Sequence, residues 1–386
     1  MLEFEFHNPT KIIFGKGRIR EAGRHVKEFS EKALLVMGCG SVRKSGIFDV
    51  VSDSLKEHGV DVEVLEGIQS NPVLSKVEEG IEIMRDKGLN LVIALGGGSV
   101  MDSAKAIAAG TPLEKGHVWD FFIGKQEIAR ALPIVTIPTL AASGSEMNGY
   151  MVITNEQTGH KLATRSPHIY PRISILDPET TYTVSKDYTA YGGVDAVCHL
   201  LEPYFNGPYP YTPVQDRLAE GLIKTIMETT KDAIKSPHNY DSRASLMWAA
   251  TLALCGLTKA GVGEHFFPVH VIEHAVSAIF NVPHGAGLAA LLPGWMKWRA
   301  EVQPEKIVQL GVRVLDIAPP ANAENSIDAF KVWLKEVGCP VRLSELGIGE
   351  DDHEQIADNA RLQIDLGGMD PPYAKDVVLK ILAYSQ

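Results

Sequence analysis

The chain has 386 residues, 45% apolar and 22% charged, with 48 acidic against 37 basic side chains and a formal net charge of −11. These proportions describe a globular protein, and the acidic balance excludes nucleic acid and an anionic membrane surface as partners, because both require a basic face. No apolar run approaches the ~20 residues that cross a bilayer, and Met1–Phe6 carries acid where a signal peptide carries base, so the expected location is cytoplasmic.

The first half alternates strand and helix signals. Ala33–Met37 is a short apolar run ending in Gly38-Cys39-Gly40-Ser41. A helical pattern at Ile47–His58, a strand-like alternation at Val60–Leu65 and a second helical pattern at Leu74–Lys87 follow. Leu89–Leu95 is continuously apolar, the mark of a buried parallel strand, and runs through Gly96-Gly-Gly-Ser into a helix at Met101–Ala109. Pro133–Pro138 reads as the next strand, Met151–Thr154 with Gly159–Thr164 as a hairpin, and Arg172–Leu176 as the last strand. Beyond residue 184 long helical segments dominate: Asp187–Tyr204, Thr212–Lys235, Asp241–Ala260, Val269–Phe280 and Ala286–Ala300, with Pro208–Tyr211 as a loop. The expected organisation is α/β plus all-α, with a doubly wound parallel-sheet nucleotide domain over 1–184 and a helical metal-binding domain over 185–386.

Three small, polar loops stand at the carboxyl ends of predicted strands: Gly38–Ser41, Gly96–Ser99 and Thr139–Glu146. Glycines let backbone N–H groups approach an anion, and the helix entered at Met101 adds its positive N-terminal end. One such loop is equally well a tight strand-to-helix turn. Three that converge at the strand ends of an open sheet favour a dinucleotide. The Gly96 loop is neither a Walker loop nor a G-x-G-x-x-G fingerprint. Asp102 and Lys105 stand on the first turns of its helix; either reads equally as a solvated surface charge, with Asp102 close enough to touch what the loop holds.

Cys39, Cys198, Cys255 and Cys339 form no CxxC pair, so any metal must be held by nitrogen and oxygen. Asp195 and His199 lie four apart, on one face of a helix, and His270 and His274 repeat the spacing, with His284 ten residues on. Their neighbours are apolar, and a buried Asp or His must be paired or bound to metal. A lone histidine would be a satisfied core residue; five such groups favour an N/O metal site. His270-Val-Ile-Glu-His274 differs from the zincin His-Glu-x-x-His in order. Glu273 turns away from the shared face, as a helix-surface or supporting carboxylate.

These motifs together resemble the iron-containing (group III) alcohol dehydrogenases, in particular the NAD(P)H-dependent butanol dehydrogenases. The resemblance spans the chain. It rests on Phe14-Gly-Lys-Gly, Asn71-Pro72, Gly96-Gly-Gly-Ser-x-x-Asp-x-x-Lys105, Ser143-Gly-Ser-Glu146, Ile175-Leu-Asp-Pro178, Asp195-x-x-x-His199, Gln215–Glu220, His270-x-x-Glu-His274 and His284-Gly-Ala-Gly. It implies a fold like that of dehydroquinate synthase, with the active site in a cleft between the domains. It makes Asp195, His199, His270 and His284 the metal ligands and His274 the cleft histidine nearest substrate and nicotinamide. Gly97, Gly98, Ser99 and Asp102 match the pyrophosphate loop, and Asn71, Thr139, Ser143, Asn148 and Lys161 the nucleotide and nicotinamide pocket. Ala142-Ser143 and Cys39 depart from the commoner Gly-Thr and Gly.

The chemistry so implied is alcohol oxidation or aldehyde reduction, with a divalent metal as Lewis acid and hydride exchanged with nicotinamide C4. Fe²⁺ is the expected metal, and three imidazoles with a carboxylate also suit Zn²⁺. His274 either relays a proton or supports the site by packing and hydrogen bonding. The loop Gly38-Cys39-Gly40-Ser41-Val42-Arg43-Lys44 contains no acid, and an acid there is what favours NAD(H), so NADP(H) is the expected coenzyme, with NAD(H) usable. Alternatives are a dehydroquinate synthase-like or glycerol dehydrogenase-like enzyme of the same architecture, or a non-catalytic nucleotide-binding protein. Against a synthase, Phe266, Phe267 and Phe280 stand near the metal motifs where an anionic substrate would need Lys and Arg. Family members are often homodimers, and Glu3–Phe6 is a candidate strand for pairing across such an interface.

Overall fold

The computed structural model describes residues 1–208, 211–369 and 372–386; Tyr209 and Pro210, in the expected loop, lie outside the described residues. The chain forms two compact units. One comprises residues 7–184 with 238–247, and the other residues 1–6, 185–237 and 248–386.

The first unit is built on a sheet of six parallel strands: β1 (Lys11–Phe14), β2 (Lys32–Gly38), β3 (Asp61–Ile68), β4 (Val92–Gly96), β5 (Ile134–Pro138) and β8 (Ile173–Leu176), in the order β1-β8-β5-β4-β2-β3. Every residue of β4, β5 and β8 is buried. That is why these segments read as unbroken apolar runs: a parallel sheet is covered on both faces. Helices α1 (Ala22–Lys27), α2 (Ser41–Lys44), α3 (Ile47–Glu57), α4 (Leu74–Asp86) and α5 (Gly98–Gly110) connect the strands. Leu35, Met37, Val51, Leu55, Ile93, Leu95, Val135, Ile137, Ile173 and Ile175 share one buried cluster, and each such side chain contributes roughly 1.5–3 kcal/mol. Strand order reverses between β2 and β4, whose register pairs Met37 with Leu95. On the other side of β4, Gly96 pairs with Pro138. The ends of β2, β4 and β5 therefore lie side by side. A separate antiparallel hairpin, β6 (Tyr150–Asn155) with β7 (His160–Arg165), places Lys161 opposite Thr154.

The second unit contains α6 (Lys186–Asn206), α7 (Pro213–Lys235), the end of α8 (Tyr240–Ala253), α9 (Pro268–Phe280), α10 (His284–Val302), α11 (Pro304–Arg313), α12 (Ala323–Glu336), α13 (His353–Leu366) and α14 (Lys375–Tyr384). Helix α8 is shorter than the Asp241–Ala260 pattern because Gly256, at φ 96°, turns the chain. Residues 3–6 form no strand; Leu2 instead donates its N–H to the Gly261 carbonyl at 3.0 Å. Among the described residues, no helix is long and apolar enough to cross a membrane.

Candidate functional site

In the α/β unit, β4 ends in the glycine loop and α5 begins at Gly98. Its N-cap Gly97 offers no side-chain cap, and the first bonds back to Gly97 come from Val100 and Met101 at 3.1 Å. The N–H groups of Gly98 and Ser99 thus stand at the positive end of a thirteen-residue helix without intrahelical partners. A Cβ at Gly98 would lie 2.6 Å from Ser143 Oγ, so that glycine is needed for packing against the β5 loop. A Cβ at Gly97 would meet only Leu140, at 3.6 Å; the protein's own packing does not demand glycine there, and the space over it suits a ligand. Thr139 follows β5 and donates its N–H to Gly96 O at 3.1 Å, while Ser99 Oγ–H bonds the Ser70 carbonyl.

Beneath the loop lies a buried polar lattice. Lys105, wholly enclosed, donates to Ser145 Oγ at 2.7 Å, Asn148 O at 2.9 Å, Asn148 Oδ1 at 3.2 Å and Tyr150 O at 2.8 Å. Burial pushes its ammonium down to about 8, against the pull of the Asp102 and Glu146 charges. Asp102 accepts from Ser145 Oγ at 2.7 Å and from the Val152 N–H at 3.0 Å. Lys161, buried, donates to Asn71 Oδ1 at 3.0 Å. The hairpin makes this meeting: Thr154, opposite Lys161, bonds back to Pro72 O at 2.8 Å, next to Asn71. At the end of β2, Gly40 adopts φ 104°, with nothing within 4 Å of a Cβ built on it, and Ser41 opens α2. Glu66, from β3, grips Arg43 Nε at 3.1 Å, and Arg43 stacks on the Phe48 ring.

In the helical unit, Asp195 and His199 share a face of α6, His270 and His274 share one of α9, and His284 opens α10. Asn281, at φ 51°, ends α9 and lets the chain reverse through Pro283. The four groups meet. Asp195 Oδ1 lies 3.5 Å from His199 Nδ1, 3.4 Å from His270 Nε2 and 3.8 Å from His284 Nε2. The His199 and His270 rings stack at 4.5 Å, and His274 lies 5.7 Å from His284.

Burial alone would raise the Asp195 carboxyl, but the imidazoles of His199, His284 and His270 hold it well below the usual carboxylate range. Burial pushes His199 down to about 3, so its ring is neutral at pH 7. Its buried Nδ1 has no hydrogen-bond partner. An ionised carboxylate, the neutral imidazole of His199 with its unsatisfied buried nitrogen, and the two further imidazoles of His270 and His284 make a donor set that a borderline divalent metal satisfies. Glu202 and Glu273 occupy the Nδ1 atoms of His270 and His284. His274 Nδ1 meets Gln363 Oε1, on α13, at 2.9 Å, outside the Asp195 group.

Glu202, Gln363 and Glu66 carry no obvious sequence signal as site residues, although Glu202 continues the face of Asp195 and His199 at spacing i, i+4, i+7. Glu273 is fully buried, not on the helix surface, because the start of α10 folds over it.

Residues 9–178 match the family described as iron-containing alcohol dehydrogenase, and residues 189–385 the C-terminal part of the Fe-containing alcohol dehydrogenase family. The chain is 39% identical to the probable NADH-dependent butanol dehydrogenase 2 of Bacillus subtilis, covering 100% of both chains. It is 36% identical to an NADPH-dependent aldehyde reductase of Escherichia coli, over 90% of each. The crystal structure of NADH-dependent butanol dehydrogenase A from Thermotoga maritima matches with a TM-score of 0.94 and 42% identity, over 100% of this chain and 99% of the other.

Proposed function

From the premise that the chain belongs to the iron-containing alcohol dehydrogenase family, we propose which of its residues do the work and which metal and coenzyme they take. The protein is an oxidoreductase that interconverts alcohols and aldehydes with a nicotinamide coenzyme. Residues 185–386 act as the metal-binding domain: Asp195, His199, His270 and His284 hold a divalent metal, Fe²⁺ in the native enzyme. Residues 1–184 act as the dinucleotide-binding domain.

When bound, the metal supplies Lewis acidity to the substrate oxygen and the coenzyme supplies the hydride. His274 takes or gives the alcohol proton at Nε2, because Gln363 holds its Nδ1 as the donor. The N–H groups of Gly98 and Ser99 bind the coenzyme diphosphate, with Gly97 leaving room for it and Asp102 bracing the loop through Ser145 and Val152. Thr139, Ser143, Asn148, Lys161 and Asn71 line the nucleotide and nicotinamide pocket. Gly38, Gly40 and Ser41 receive the adenine ribose. Their loop contains no acid, which supports a preference for NADPH with NADH still usable. Glu66 tempers this by neutralising Arg43, so Ser41, Lys44 and the backbone are left to meet the 2′-phosphate.

The observation that carries the reading is the convergence on Asp195 of three imidazoles, one with an unsatisfied buried nitrogen. The test is a panel of short and medium aldehydes assayed with NADPH and NADH after anaerobic reconstitution with Fe²⁺ or Zn²⁺. Turnover should depend on added metal and be higher in kcat/KM with NADPH. Metal-independent turnover, or none with any aldehyde, defeats the assignment; a clear NADH advantage defeats the coenzyme claim alone.

A further inference from the structure

Two carboxylates beneath the histidine cluster, Glu202 and Glu273, are each 0% exposed. A buried carboxylate is tolerated only where donors meet it. Glu202 Oε1 accepts the backbone N–H of Val269 at 2.6 Å and of His270 at 3.4 Å, while Oε2 faces His270 Nδ1. Those backbone groups begin α9, whose N-cap residue Phe267 provides no acceptor. Glu202 is therefore the cap of the helix that carries His270 as well as the partner of its ring. Glu273 is held differently. Ser277 Oγ–H donates to Oε1, and His284 Nδ1 meets Oε2. A Cβ at Gly287 would come within 2.8 Å of Glu273 Cγ, so α10 admits this carboxylate only over a glycine.

We propose that Glu202 and Glu273 are positioning residues that lock His270 and His284 as Nδ1–H tautomers, directing both Nε2 atoms at Asp195, and that the two locks differ in their tolerance of an amide. The inference rests on the reading of Asp195, His199, His270 and His284 as metal ligands. A glutamine keeps one acceptor oxygen and adds an NH₂ donor. At position 202 both carboxylate oxygens face donors, and the backbone N–H groups cannot reverse. The amide oxygen must stay with them, so the NH₂ meets His270 Nδ1. That drives the ring proton to Nε2 and removes the lone pair aimed at the metal. At position 273 the second partner is a hydroxyl, which rotates to accept from the NH₂. The amide oxygen then continues to accept from His284 Nδ1–H, and the lock survives.

The experiment titrates Zn²⁺ against a chromophoric chelator in the full-length wild type, Glu202→Gln, Glu273→Gln, Glu273→Leu and Asp195→Ala. The visible absorption spectrum of each Co²⁺-loaded protein is recorded alongside, with circular dichroism as the fold control. Supporting partners of ligand histidines are worth about 10–100-fold in metal affinity. Glu202→Gln and Glu273→Leu should each lose that much and shift the Co²⁺ bands, while Glu273→Gln keeps wild-type affinity and spectrum. A folded Glu202→Gln protein that binds metal like the wild type overturns the inference. If Glu202→Gln does not fold, the Glu273 pair decides: Gln and Leu variants of equal affinity overturn it. Should Asp195→Ala bind metal as tightly as the wild type, the ligand reading fails and the inference with it. Should Asp195→Ala be weakened while every glutamate variant matches wild type, the inference fails alone.

Discussion

The glycine loop and the histidine cluster prepare for charge by opposite means. In the loop, the groups left without intrahelical partners are backbone N–H at the start of α5, and the ionised side chains are turned inward: Lys105 and Asp102 bond Ser145, Asn148, Tyr150 and Val152. In the cluster, the ionised and neutral side chains face one another directly across Asp195, and further carboxylates are buried behind them. The difference follows from the ligands each can serve. A diphosphate is broad and is met by many weak, oriented dipoles, so side chains are best used to hold the loop still. A metal ion takes a few strong donors, so the side chains themselves must be fixed to within a fraction of an ångström. One region can therefore be damaged without the other.

The largest expected effect comes from removing a metal donor. His284→Ala should lose metal and lower kcat/KM by at least ~10³-fold, since Lewis-acid stabilisation is worth several kcal/mol. NADPH binding, followed by coenzyme fluorescence, should be unchanged. Full metal content by elemental analysis with full activity would remove His284 from the set.

His274→Ala sharpens the boundary of the cluster. It should keep its metal and lose about 10²–10⁴-fold in kcat, with one limb of the pH profile lost. Loss of the metal would instead make His274 a ligand.

Lys105→Met breaks the comparison from the other side. Four acceptors are left without their cation, so stability should fall by roughly 3 kcal/mol and coenzyme binding should weaken, while metal content holds. The pH dependence has a defined sign. Burial lowers the Lys105 ammonium from 10.5 to about 8, so between those pH values the unfolded chain binds a proton that the folded chain has released. Stability of the wild type then rises with pH relative to Lys105→Met, by about 2 kcal/mol between pH ~7.5 and ~9.5. Urea titrations across that range that show a constant difference would contradict the assignment.

The smallest effects concern coenzyme choice. Gly38→Asp should lower the NADPH-to-NADH ratio of kcat/KM by about tenfold through like-charge repulsion, with Ile68 O 3.4 Å from the new Cβ as a small steric penalty. Glu66→Gln should raise the ratio a few-fold by freeing Arg43 for the phosphate. An unchanged ratio in both would place the 2′-position elsewhere.

Much of this was legible in one dimension, because local patterns carried it. The unbroken run Leu89–Leu95 is a strand buried on both faces, and the glycines that follow mark a strand-to-helix turn; β4 and α5 lie there. The i, i+4 spacings of Asp195/His199 and His270/His274 follow from helical periodicity, and so does their placement on shared faces. What the chain alone could not determine is which groups stand behind those faces. Lys105 reads as a solvated surface charge and Asp102 as a charge beside a ligand, yet Lys105 is fully buried and both are bound by residues 40 to 50 positions later in the chain. Glu66 reaches the β2 loop only because β3 is its neighbour in the sheet. Glu202 finds its donors 67 residues away, at a helix end that carries no cap of its own. Periodicity specifies the direction in which a side chain leaves its own element. The partner it meets depends on how elements far apart in the chain pack, and burial then makes that pairing obligatory, because an unpaired charge in the interior costs more than the fold can absorb.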